Sequence, residues 1–319
     1  MFTLALLSYG SERELKRALF CLYSFLAQAG PDLSDYRVCL YTDRPEWFTQ
    51  RLTLAPGQLV FQELHPDKLA SLRGPADFYL RPKICLMLEL LQQFAEPTLF
   101  VDSDTFFVAD PRPVFERISP TTSLLHEAEY PLSTLTTLDE KHQRLWKFFQ
   151  GHDFELAGQK VAFDPAWTNW NSGTIGLHPD HIPLVENVLR LTDAIYPPSL
   201  HPTCEQYAFS IVLQNGSRLE PAGGVIYHYW YHVKKRILDE FIGKFLTAEL
   251  MARPQSDRVA ATGKAVSGLS HRIHNAPVLQ IDRALRRLSE NKFREGFWLA
   301  LKVILTGQIR DLVYYQQIG

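Results

Sequence analysis

Thr98-Leu99-Phe100-Val101-Asp102-Ser103-Asp104 is the stretch on which the fold turns. Leu99, Phe100 and Val101 form a short, uninterrupted apolar run, the pattern of a strand buried on both faces, and it ends in two carboxylates. In an extended chain, residues i and i+2 point the same way, about 6.5 Å apart at a rise of ~3.3 Å per residue. Asp102 and Asp104 can then approach one hard divalent cation, directly or through water. The bland alternative is a solvated pair capping a turn. The buried strand favours the first reading, because it fixes where the carboxylates end.

Upstream, strands and helices alternate. Phe2–Ser8 has strand length, and Ser11-Glu12-Arg13-Glu14 then matches a capping box. The helix it opens runs through Leu15, Leu19, Leu22, Tyr23 and Leu26 and stops at Gly30-Pro31. Tyr36–Thr42 and Leu59–Leu64 read as further strands. Pro82 opens a helix at a position where its missing N–H costs nothing, and that helix is apolar on nearly every face as far as Phe94. The pattern predicts an α/β fold with a mixed, mostly parallel sheet flanked by helices. In such sheets ligands bind at the carboxyl ends of strands, where Ser8-Tyr9, Asp43 and Asp102–Asp104 all fall.

Composition agrees. With 46% hydrophobic and 21% charged residues, the chain of 319 residues is too apolar for a disordered protein. A net charge of −2 gives no bulk attraction to nucleic acid, so no nucleic-acid partner is expected. Cys21, Cys39, Cys85 and Cys204 lie far apart without CxxC spacing, which predicts buried, reduced thiols and a cytoplasmic protein. The first residues lack the basic flank of a secretion signal, and no run reaches the ~18 apolar residues of a membrane span. Charge is uneven: from Lys235 onward there are 14 basic and 8 acidic residues, so the body before it is acidic.

Downstream, a strand is expected at Ser123–His126 and a helix at Leu135–Phe149. A strand at Thr174–Leu177 and helices at Pro183–Ile195 and Cys204–Leu213 follow, then a helical tail with a looser stretch over 252–270. Asn171-Ser172-Gly173 offers neutral hydrogen bonds and close backbone approach just before a strand, or is a simple turn. Arg81 and Lys83, at a helix start, can reach phosphates or be solvated. Glu205-Gln206 opens a helix, where an acidic residue is favoured by the dipole whatever the function. In Tyr227-His228-Tyr229-Trp230-Tyr231-His232-Val233-Lys234, either His228 or His232 can complete a metal sphere, and Lys234 can neutralise phosphate.

In sequence order these pieces resemble glycosyltransferases of the GT-A fold, most of all the retaining glycogenin and lipooligosaccharide galactosyltransferase family. The resemblance covers residues 1–235, taken as the catalytic domain, with 236–319 as a helical C-terminal extension. It implies that Asp102, Asp104 and His228 hold Mn²⁺ or Mg²⁺ against the diphosphate of a nucleoside-diphosphate sugar, a UDP-sugar before others. Ser8, Tyr9, Arg81, Lys83, Ser103, Asn171, Ser172, Gly173 and Lys234 are implied to bind the nucleotide sugar, with Glu205 and Gln206 near the anomeric carbon. The family has Gly where Tyr231 stands and Pro-Trp where Lys235-Arg236 stand, which sets this chain outside the main group. An inverting enzyme would need a carboxylate base, for which Glu127, Glu129 and Asp139 qualify by position.

Two other readings compete. A haloacid-dehalogenase-type phosphotransferase also puts DxD after an apolar strand, but wants Thr or Val where Phe106 stands. A catalytically degenerate sugar-nucleotide-binding or membrane-surface interaction protein would keep the fold without the reaction. The acceptor, whether glycan, lipid-linked or protein, is not legible. In the tail, Ile281, Leu285 and Leu288 form a helical stripe beside Arg283, Arg286 and Arg287. Phe293, Phe297, Trp298, Leu301 and Ile304 follow, with Lys292, Arg294 and Lys302. Basic amphipathic helices of this kind either contact the inner face of a membrane or simply pack on the body.

Overall fold

The apolar runs of the first hundred residues become neighbouring parallel strands. In the computed structural model, which describes residues 1–156, 159–289, 297, 298 and 301, seven strands form the main sheet. Their order is Arg218–Pro221, Thr122–Leu125, Thr174–Leu177, Thr98–Val101, Phe2–Leu7, Tyr36–Thr42, Leu59–Glu63. Thr174–Leu177 runs antiparallel to both neighbours, and the other four pairings are parallel. The fold is therefore α/β, with the mostly parallel, helix-flanked sheet that the sequence predicts. The chain divides into two compact units, Met1–His228 and Tyr229–Gly319.

Local chemistry explains the elements. The Glu12–Ala29 helix starts at Ser11, whose side chain accepts the Glu14 N–H, and ends at Gly30 with φ +81. Only half of the capping box forms. The Glu14 carboxylate turns instead to Arg17 at 2.6 Å and to the Ser103 hydroxyl at 2.8 Å. The Arg81–Phe94 helix has Pro82 in its first turn and buries Ile84, Met87, Leu90 and Leu91 against the sheet core. Cys21, Cys39 and Cys204 are buried free thiols, and Cys85 is half-buried.

Two segments differ from expectation. A 3₁₀ turn, Leu132–Thr137, precedes a helix that begins only at Glu140, because Asp139 caps it by accepting from the Lys141 and His142 N–H groups. The stretch over 252–270 contains a full helix, Gln255–Val266, which begins after Pro254 and is followed by Gly268 at φ +72. The second unit continues with helices Leu269–His274 and Pro277–Ser289. In the last, Ile281 is buried while Leu285 is exposed, so the expected stripe is only partly covered. Phe297 and Trp298 are exposed; Lys292, Phe293, Arg294, Lys302 and Ile304 lie outside the described residues.

His201 supplies a built-in pH dependence. Its ring packs edge-on against Tyr207 and His142, at 5.3 and 4.5 Å between centroids, and Nδ1 accepts the Thr203 N–H. Burial, with His142 adding to it, lowers its pKa from 6.5 to about 4. The unfolded chain therefore binds the proton more readily, and the stabilisation present above about pH 6.5 is lost as pH falls towards 4. In urea melts, stability should drop by up to about 3 kcal/mol across that window, and His201→Gln should flatten the slope.

Candidate metal and diphosphate site

Three strand pairings assemble the site. Thr174 lies opposite Val101 in the antiparallel register, so the residues just before Thr174 meet those just after Val101. The Asp102 N–H donates to the Gly173 carbonyl at 2.9 Å. A two-stranded ribbon then pairs His228 with Thr105, which sets the imidazole beside Asp104. The Thr122–Leu125 strand runs parallel to Thr98–Val101, counted across Thr174–Leu177, and so delivers Glu129 to the same edge of the sheet.

Asp102 and Asp104 do not occupy an extended strand end. They flank a turn between Thr98–Val101 and Thr105–Phe107, closed by the Thr105 hydroxyl donating to the Asp102 carbonyl at 2.8 Å. The turn curls both carboxylates towards His228, and one ligand atom from each of the three lies within 4.8 Å of the others. Among the described residues this is the single such group, and it contains His228, not His232. His228 Nε2 stands 3.4 Å from Asp104 Oδ1, buried and without a hydrogen bond.

The imidazole's orientation follows from its neighbours. His228 Nδ1 is 2.7 Å from Asn171 Oδ1, which also accepts the Gly173 N–H at 2.9 Å. A carboxamide oxygen cannot donate, so Nδ1 carries a proton, and in the neutral ring it is Nε2 that keeps the lone pair. A Cβ on Gly173 would fall on the His228 ring, so glycine is required for this packing. Two carboxylates and a bare imidazole nitrogen are a donor set that fits a hard or borderline divalent cation.

Lys83 sits beneath them, 3% exposed. Its ammonium is 3.0 Å from Asp102 and 3.7 Å from Glu205, and donates to the Ser172 carbonyl at 3.2 Å. Burial works against its charge, but Asp102, Glu205 and Asp104 outweigh that and raise its pKa. Burial pushes Glu205 up, against the pull of Lys83. Its Oε1 accepts the Ser172 hydroxyl at 3.2 Å, and Oε2 has no hydrogen bond. Three carboxylates thus surround one ammonium, an excess of negative charge that a divalent cation would offset.

The other predicted residues are distributed unevenly. Gln206 accepts the Ser172 N–H at 3.3 Å and donates to Glu129 at 3.1 Å. Ser103 bonds Glu14, and Tyr9 lies beside Arg73, whose pKa it helps to raise. Ser8, at the end of the adjacent strand, has a buried hydroxyl with no hydrogen bond. Arg81 is turned away: its guanidinium pairs with Asp193 at 2.7 and 3.0 Å and donates to the Leu72 carbonyl at 2.9 Å. Lys234 belongs to the second unit, in the first turn of the His232–Phe245 helix.

Glu129, one of three candidate bases in the sequence, joins this cluster. Its Oε1 accepts from Asn171 at 3.0 Å, and its Oε2 accepts from Asn169 at 2.8 Å as well as from Gln206. Burial pushes its pKa up, while the bonds from Asn171 and Gln206 pull it down. The signal that could have found it is its place just past the Thr122–Leu125 strand, at the edge where Asp102 also falls.

No protein-family model matches the sequence, and comparison with curated proteins finds no match. Among solved structures, the chain is similar to apo mouse xyloside xylosyltransferase 1, at 14% identity over 69% of this chain and 84% of that one, TM-score 0.45. It is also similar to the galactosyltransferase LgtC in complex with donor and acceptor sugar analogues, at 10% identity over 80% of this chain and 99% of that one, TM-score 0.48. An active-site mutant of LgtC matches at 11% identity over 68% and 72%, TM-score 0.45. Likeness of this degree concerns the path of the chain and carries nothing about the site.

Removing the buried ammonium tests the electrostatics. Lys83→Met leaves Asp102 and Glu205 without their countercharge and should cost about 3–5 kcal/mol in urea denaturation. Adding Glu205→Gln to that variant should recover part of the loss.

Proposed function

We propose that this chain is a metal-dependent glycosyltransferase of the GT-A type, moving a sugar from a nucleoside-diphosphate sugar, a UDP-sugar before others, to an acceptor. One observation carries the reading: two carboxylates and a bare, buried imidazole nitrogen converge at the edge of the sheet, in surroundings with excess negative charge. Asp102, Asp104 and His228 would hold Mn²⁺ or Mg²⁺, and a cation there stabilises negative charge on the departing diphosphate.

Within this reading the chain's own groups divide the work. Lys83 fixes the Asp102 carboxylate from below, and Gly173 leaves room for the His228 ring. Ser8, Tyr9, Ser103 and Ser172 would line the donor, whereas Arg81 is held away from it by Asp193. Glu205 and Gln206 would lie under the anomeric carbon, one buried beside Lys83 and the other tied to the Ser172 backbone.

Retention of anomeric configuration is favoured over inversion. Of the three candidate inverting bases, Glu127, Glu129 and Asp139, Glu129 is half-buried and already takes donors from Asn169, Asn171 and Gln206, and one oxygen of Asp139 serves a helix cap and His142. The acceptor is a glycan, a lipid-linked sugar or a protein. A cytoplasmic location accords with the four free thiols.

The test is thermal denaturation with nucleoside diphosphates. UDP with Mn²⁺ should raise stability by about 2.7 kcal/mol at one hundred times Kd, and UDP with chelator should not. Asp104→Asn should remove the effect. Slow metal-dependent hydrolysis of a UDP-sugar would set the chain apart from a degenerate binding protein; no response to any nucleoside diphosphate with metal present would overturn the reading.

Peripheral membrane contact is the second part of the proposal. From Lys235 onward the chain carries 14 basic against 8 acidic residues, and no helix of the described residues is long and apolar enough to cross a membrane. The full chain should float with vesicles containing anionic lipid and not with neutral ones. Equal behaviour on both would remove the idea.

A further inference from the structure

The hydrogen bonds behind His228 have a direction, and it can be traced residue by residue. His228 Nδ1–H donates to Asn171 Oδ1, and Asn171 Nδ2 donates to Glu129 Oε1. The carboxamide cannot be turned over, because Oδ1 also takes the Gly173 N–H, and a flipped amide would face that donor with another donor and the carboxylate with an oxygen. An anion at the far end therefore fixes the carboxamide, and the carboxamide fixes the tautomer of the ring. The other oxygen of the same carboxylate takes Asn169 and Gln206, the latter in the first turn of the Cys204–Gly216 helix. Asn169 is fully buried and Asn171 nearly so, leaving little water to replace a lost partner.

We propose that Glu129 is a positioning residue whose carboxylate, acting through Asn171, holds His228 as the Nδ1–H tautomer with its Nε2 lone pair towards Asp104, and at the same time fixes Gln206. One anion then sets both the imidazole ligand and the helix start beneath the donor. The role extends the metal-site reading and rests on it for the word ligand, but the tautomer is a property of the metal-free chain. Outer partners of a metal-bound histidine commonly carry ten- to a hundredfold in metal affinity.

The order of the bonds suggests a specific rescue. In Glu129→Gln, the new amide cannot accept from Asn171, Asn169 and Gln206 together, so one pair of donors must face each other. In Asn171→Asp, two carboxylates face each other. In the double variant Glu129→Gln/Asn171→Asp, the glutamine oxygen still accepts from Asn169 and Gln206, and its amide donates to the new aspartate. That aspartate still accepts from His228 and Gly173. Every bond is kept, one link is reversed, and the formal charge is unchanged.

Mn²⁺ binding to the full chain, measured by electron paramagnetic resonance of the free ion, should weaken ten- to a hundredfold in each single variant and return to within a few-fold of wild type in the double. Equal affinity in wild type and Glu129→Gln would overturn the proposal. So would a double variant as weak as Glu129→Gln, or tighter binding by Asn171→Asp alone, which would mean that local charge sets the affinity. The metal-free wild type answers separately, even if a variant fails to fold. Long-range ¹⁵N–¹H spectra, with His228→Gln for assignment, should show the proton on Nδ1; a proton on Nε2 or an even mixture would sink the inference. Wild type with no Mn²⁺ affinity but the Nδ1–H tautomer would defeat the metal reading alone.

Discussion

The Lys83 ammonium, almost wholly removed from water, is held between Asp102 and Glu205 and bonded to the Ser172 carbonyl. An ammonium so far from water depends on its carboxylates to stay charged. It therefore ties together four elements: the Arg81–Phe94 helix, the turn after Thr98–Val101, the loop before Thr174–Leu177, and the first turn of Cys204–Gly216. The site's shape follows from this constraint. Because one ammonium meets three carboxylates, the same arrangement leaves negative charge uncompensated on the side where His228 presents its bare nitrogen.

Around that ion the sheet does the positioning. A purely parallel sheet would send the chain from Leu177 back across the fold before the next strand could contribute. The antiparallel Thr174–Leu177 strand instead starts where its neighbours end, so a three-residue loop before it lies directly against Asp102. The short ribbon pairing Ile226–His228 with Thr105–Phe107 works the same way for the imidazole. Polar side chains of Asn169, Asn171 and Gln206 then fill the buried space with directed hydrogen bonds, which tolerate far less variation than apolar packing.

Some of this was legible in the sequence, and the reasons are local. Leu99, Phe100 and Val101 announce a buried strand, Pro82 a helix start, Gly30 a helix end, and each does so through the backbone preferences of a few adjacent residues. Side-chain partners were less legible. Ser11 and Glu14 have the spacing of a capping box, yet the glutamate prefers Arg17 and Ser103, 89 residues away. Arg81, basic and near the acidic motif, is engaged by Asp193 across 112 residues. Glu129 looked like one acidic residue among three, and its engagement with Asn169, Asn171 and Gln206 exists only once the strands are paired.

By itself the sequence determined the alternation of strands and helices, the sheet type and the placing of two aspartates just past a buried strand. Those features depend on periodicity and backbone preference within a few residues. Tertiary structure decided which histidine joins the aspartates, which lysine is buried beneath them, and that Asn171 serves the ring of His228 from 57 residues away. The physical reason is that a hydrogen bond or ion pair is chosen by distance and desolvation, and neither exists until the chain has folded.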